Sequence, residues 1–145
     1  MKNKKLIIII FIVVAAMIFI GSWIYSNTGL KGFEKEISNF ALPENIEKIA
    51  IKSAIGDSGG NGNYSTYRVV LIVKTEMTIK ELKQEFENMN LKFSNYYKNR
   101  DNTPIFYITH CESNVFKSSR EFSLTFNELA KIEDYSNYYF IEFIE

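Results

Sequence analysis

Cysteine, histidine, tryptophan and proline are all scarce in this chain: one Cys, one His, one Trp and two Pro in 145 residues. The lone Cys111 excludes an internal disulfide, so any fold must be held by an apolar core. The lone His110, with no acidic cluster at metal-ligand spacing, leaves no recognisable metal site, and no cofactor is expected. Concentrated basic charge is missing as well. Setting aside Lys2, Lys4 and Lys5 leaves 14 basic residues against 17 acidic ones, a net charge near −3 with dispersed lysines. Nucleic acid needs a clustered basic surface, so it is not an expected partner. There is no internal repeat and no low-complexity segment.

The first 25 residues are of a different kind. Behind the basic tip, residues 1–5, comes LIIIIFIVVAAMIFIGSWIY, Leu6 to Tyr25, without a single charge. About 20 apolar residues suffice to cross a bilayer as a helix, and Trp23 and Tyr25 fall where an interfacial aromatic belt would lie. The preceding lysines place the N-terminus in the cytoplasm and the rest of the chain outside the cell membrane. A cleaved signal peptide has a shorter apolar region, about 7–15 residues, and a small-residue cleavage pattern that is not found after Gly21 and Ser22. The expectation is therefore a retained single-pass signal anchor. Abundant Lys, Asn and Ile suggest an AT-rich bacterial source.

Residues 26–44 read as a juxtamembrane connector. Within it Phe33, Ile37 and Phe40 make one apolar stripe on a short helix, Lys31 to Phe40, that ends before Pro43. Residues 45–145 have the length of one domain. IEKIAIKSAI alternates as a strand with Ile49, Ile51 and Ile55 on one face. STYRVVLIVKT is apolar on both faces at its centre and reads as an interior strand covered on both sides. The glycine-rich GDSGGNGNY between them makes the pair a long-looped hairpin. Thr78 and Glu81 form a capping box for TIKELKQEFENMN, whose apolar stripe is Ile79, Leu82, Phe86 and Met89. IFYITHCE reads as a strand with REFSLTF as its hairpin partner. Thr125 and Glu128 suggest a second capping box on a short helix, and NYYFIEFIE closes the chain as a strand. Hairpin, helix, hairpin, short helix and strand imply an α+β domain: a mostly antiparallel sheet with the main helix on one face. A ferredoxin-like arrangement, with the short helix promoted to a crossover, is the alternative.

One pentapeptide points toward chemistry. GDSGG, with Ser58 at its centre, resembles the nucleophile loop of trypsin-like serine proteases, and His110 beside Cys111 resembles the pair around their catalytic histidine. The resemblance covers these seven residues alone. Here the serine precedes the histidine, the reverse of that family's order, and the chain lacks the length for two β-barrels. Triad geometry belongs to a fold, so a short loop does not transfer it. The aromatics offer a different reading. Tyr64, Tyr67, Tyr96, Tyr97, Tyr135, Tyr138 and Tyr139 flank strand ends and loops, where rings can stack on sugars or anchor a protein. Ser58, Tyr64, Tyr67, Tyr96, Tyr97 and His110 make up the candidate binding surface, with no catalytic, metal or cofactor residue assigned. The sequence thus favours a membrane-anchored extracytoplasmic binding module, accessory or sensor. Its expected partners are the membrane through Leu6 to Tyr25, and another envelope protein or a cell-wall component. The alternative is a tethered hydrolase using Ser58 or a carboxylate pair such as Asp57 with Glu112.

Overall fold

A computed structural model describes residues 2–57, 65–89, 105–118 and 122–144. Its first element is a single helix, α1 (Lys2–Ser38), long enough at 1.5 Å per residue to reach about 55 Å. The connector is not a separate short helix. SNTG has turn-like composition, yet Asn27 Nδ2 donates to the Trp23 carbonyl (2.9 Å) and Thr28 Oγ1 to the Ile24 carbonyl (2.8 Å). These polar side chains are satisfied inside the helix, so they do not break it. The helix stops at Ser38, with Asn39 N–H bonding back to the carbonyls of Lys35 and Glu36.

Four strands form the main sheet: β1 (Glu47–Asp57), β2 (Ser65–Lys74), β3 (Ile105–His110) and β6 (Tyr138–Ile144), in the order β1-β2-β6-β3. Every neighbouring pair is antiparallel. The expected β1–β2 hairpin is present, with Ile55 opposite Tyr67 and Glu47 opposite Lys74. A bulge between Lys48 and Ala50 breaks its strict alternation. Ile49 therefore packs on one face of the sheet and Ile51 on the other, where the pattern alone had put them together.

REFSLTF does not pair with the strand IFYITH. β3 lies against β6 instead, with Ile108 opposite Ile141, and the residues of REFSLTF supply β5 (Ser123–Thr125), which pairs with the three-residue β4 (Val115–Lys117). Because β2 and β3 are both antiparallel to β6, the unit formed by β2, the helix α2 (Ile79–Asn88) and β3 is a split β-α-β with the final strand inserted at its centre. The second capping box does not form: FNELAKI contains one 3₁₀ turn, Asn127–Leu129, and no side chain caps it. The ferredoxin-like alternative needed a full helix there.

Both faces of β2 are covered, as its apolar centre requires. On one face Tyr67, Val69, Leu71 and Val73 pack with Tyr139, Ile141 and Phe143 of β6, Leu82 and Phe86 of α2 (Ile79–Asn88), and Phe33 and Ile37 of α1. On the other face Val70, Ile72 and Phe140 meet Phe116, Phe126, Leu129 and Cys111 under the β4–β5 hairpin. The helix α2 begins where the sequence places it. Glu81 N–H donates to Thr78 Oγ1 (3.4 Å) and Thr78 N–H to Glu81 Oε2 (2.8 Å), the two halves of a capping box. Leu82 and Phe86 are buried and Met89 half-buried, while Ile79, the fourth member of the stripe, stays 40% exposed.

Candidate functional site

Two features of α1 bear on function, and they lie on successive parts of one helix. Its N-terminal half presents its apolar side chains outward: Phe11 is 75% exposed, Phe19 78% and Trp23 69%. None of its most apolar stretch is buried against the rest of the protein. Among the described residues it is the one helix long and apolar enough to span a membrane. The C-terminal part is a core element. Phe33 and Ile37 are buried, Leu30 is packed beside them, and Gly29 lies so close to the ring of Tyr67 that a Cβ there would sit 2.5 Å from its hydroxyl oxygen. Farther along, Ser53 donates a hydrogen bond to Glu34, and Lys48 Nζ donates to the Ser38 carbonyl.

The two candidate surface residues that are described, Tyr67 and His110, separate along the sheet. Tyr67, on the expected binding surface, is buried beneath α1. His110 is exposed at the far end of edge strand β3, its ring 4.5 Å from that of Tyr139. The register sets them apart: His110 pairs with Tyr139 and Tyr139 with Val73, six residues from Tyr67, or roughly 20 Å of strand. Ser58, Tyr64, Tyr96 and Tyr97 lie outside the described residues. Asp57 pairs with Ser65, eight residues from Val73, or roughly 26 Å along the strands from the level of His110. Glu112 follows β3 at the His110 end, so Asp57 and Glu112 stand at opposite ends of the sheet.

Of the tyrosines picked out at strand ends and loops, Tyr135, Tyr138 and Tyr139 serve the fold. Tyr139 OH donates to the Met77 carbonyl (2.7 Å), and Tyr135 OH to the Leu129 carbonyl (3.0 Å). Lys74 Nζ lies 5.6 Å from the centre of the half-buried Tyr138 ring. Burial raises the Tyr139 phenol above its ordinary value, and the carboxylates of Glu76 and Glu81 push the same way. Burial also lifts the Cys111 thiol, to about 12, which makes it inert as a nucleophile at neutral pH. His110 lies beside Tyr139 of one core cluster while Cys111, the residue after β3, is buried in the other, so the sequence pair is not a pair in space. No group of three or more His, Cys, Asp or Glu able to hold a metal occurs among the described residues.

One convergent polar constellation was missed by sequence reasoning. On the face covered by β4–β5, Arg68 Nη1 donates to Glu142 Oε1 at 2.5 Å and to Ser118 Oγ at 2.9 Å, and Ser118 Oγ donates to Glu142 Oε1 at 3.2 Å. Both charged side chains are buried, 3% and 8% exposed. Arg68 Nε has no hydrogen-bond partner, and the guanidinium lies 5.3 Å from the centre of the Phe122 ring. Gly56 makes room for it: a Cβ there would come within 2.8 Å of Arg68 Nε. The available signal was one opposite charge inside each of two otherwise apolar strands, β2 and β6. Because the acid is neutralised by its own base, the cluster ties three segments together and offers no free charge to a ligand.

No family of known proteins, no curated protein and no solved structure matches this chain.

Proposed function

We propose that the protein is a single-pass membrane protein whose α+β domain, outside the cell membrane, is a non-catalytic binding module for another envelope protein or a cell-wall component. The observation that carries this reading is the division of α1: an uncovered apolar half preceded by lysines, and a second half built into the domain core. An uncovered run of this length is not sustained in water, where burying each large apolar side chain is worth about 1.5–3 kcal/mol. Unbroken helical geometry through residues 21–30 supports a retained anchor over a cleaved leader. The hydrolase reading loses support from the geometry, since Asp57 is far along the strands from both His110 and Glu112.

The test is extraction and protection of the full chain. It should stay in the membrane pellet through an alkaline carbonate wash, and protease added outside intact spheroplasts should digest the domain. Release by carbonate removes the anchor, and protection of the domain from external protease reverses the topology. A partner should then be recovered by crosslinking in intact cells through His110→Cys, and this crosslink should be lost when the domain is unfolded.

A further inference from the structure

Outside α1, four large apolar side chains are exposed among the described residues: Ile55 (41%), Ile79 (40%), Ile105 (56%) and Tyr107 (56%). Three of them gather toward one end of the sheet. Ile55 pairs with Tyr67, Arg68 pairs with Ile144, and Ile144 pairs with Ile105, so Ile55 and Ile105 mark one level across all four strands. Tyr107 is two residues farther up β3. The same level is where α1 enters the domain, because Gly29 lies against the Tyr67 ring. The opposite end is polar. Lys74, Glu76, Glu112, Glu133 and Asp134 are all exposed there, beside the starts of α2 and β6.

The axial distance can be counted on the helix. Gly29 follows Tyr25, the last residue of the apolar stretch Leu6 to Tyr25, by four residues, or about 6 Å. A bilayer of about 40–45 Å with a hydrocarbon core of about 30 Å has a headgroup layer of about 5–7 Å on each side. A helix that is continuous from Trp23 through Ile37 leaves no hinge between the span and the sheet.

Building on the membrane-anchor reading, we infer that the end of the sheet carrying Ile55 and Ile105 docks on the lipid surface, with the two isoleucines in the headgroup layer. The domain is then held upright by three supports, α1 and the two sheet edges, and presents its charged end, with His110 and the capped start of α2, away from the membrane. Tyr107, with an apolar ring and a polar tip, suits the upper boundary of that layer, where aromatic residues collect.

The test uses the full chain reconstituted into phosphatidylcholine–phosphatidylglycerol vesicles that contain a lipid with a shallow nitroxide quencher. Cys111 is buried and should not take a maleimide in the folded protein, so Ile55→Cys, Ile105→Cys and Ile79→Cys can each be labelled singly with a fluorophore. A labelling ratio above one reports a variant that has lost its fold. Labels at Ile55 and Ile105 should lose fluorescence to the lipid quencher, and the label at Ile79 should not. The only tryptophan, Trp23, reports the anchor in unlabelled protein. If Trp23 is quenched while the Ile55 and Ile105 labels behave like the Ile79 label, the docking inference is overturned and the anchor stands. If Trp23 itself is not quenched, the anchor reading falls, and the docking inference with it.

Discussion

Arg68 and Glu142 are a pair of opposite charges that the sheet buries, and the cost of separating them exceeds the value of having them. Removing one partner leaves an uncompensated charge in a low-dielectric site, typically a loss of about 3–5 kcal/mol, whereas replacing both with apolar residues of similar volume is often neutral or stabilising. Glu142→Ala should therefore lower the free energy of urea unfolding by that order, and Arg68→Met with Glu142→Leu should restore it. A double variant as unstable as the single one would show that the pair contributes more than it costs. Cys111 gives a second prediction at this scale. Its folded value, raised by burial from 9.0 to about 12, means that the native state holds the thiol neutral. The stability this provides is fully present below about pH 9 and is lost as pH rises toward about 12. The raised Tyr139 phenol acts in the same direction. Unfolding midpoints should fall with rising alkaline pH, and iodoacetamide should modify Cys111 only as fast as the domain opens.

Among the elements, α2 is the most locally determined. Thr78, Glu81 and the apolar spacing specify its start and its buried face without help from the rest of the chain, which is why sequence reasoning located it. Thr78→Ala should cost about 0.5–2 kcal/mol, the usual value of an N-cap. The same contacts carry a pH signature. Hydrogen bonds from the Thr78 backbone and side chain hold the Glu81 carboxyl below its ordinary value, and Ser136 does the same for Asp134. Carboxyl groups with depressed folded values stabilise above their unfolded values and lose that contribution as pH falls through the folded ones. Melting temperature should drop between about pH 5 and about pH 2, and Glu81→Gln should flatten part of that drop. An unchanged acid slope in Glu81→Gln would separate the cap from the titration. The β4–β5 hairpin is the contrary case. A three-residue strand such as VFK carries too few alternations to register as periodic, and IFYITH offered a better apolar match for REFSLTF than the true partner did.

For the whole molecule, the decisive fact is that α1 has two unlike halves, an exposed apolar one and one packed into the core. A boundary drawn at residue 45 from composition cuts through the core, because Leu30, Phe33, Ile37, Phe40 and Leu42 all pack with the sheet. Phe33 and Ile37 alone bury side chains worth about 1.5–3 kcal/mol each, a large part of the 5–15 kcal/mol that stabilises an ordinary domain. A fragment of residues 45–145 should thus be molten or insoluble, while residues 27–145 should unfold cooperatively in urea. Equal cooperativity in the two fragments would show that α1 merely rests on the domain. If the first half of α1 is a membrane anchor, as proposed, its packing into the core would hold the sheet at a set orientation to the membrane plane.

By itself, the sequence determined what depends on short range: the uncharged run that needs an apolar surrounding, the capped helix α2, the hairpin of β1 and β2, and the two-sided burial of β2. Each follows from one contiguous stretch of fewer than about thirty residues, where periodicity and capping chemistry act. Tertiary structure alone decided what depends on residues brought from far away. It placed β6 between β2 and β3, carried α1 unbroken into the core, sent Tyr67 and His110 to different ends of one sheet, and joined Arg68 to Glu142 across 74 positions. Those outcomes are set by which apolar faces must cover one another, a condition on the whole chain that no local window contains.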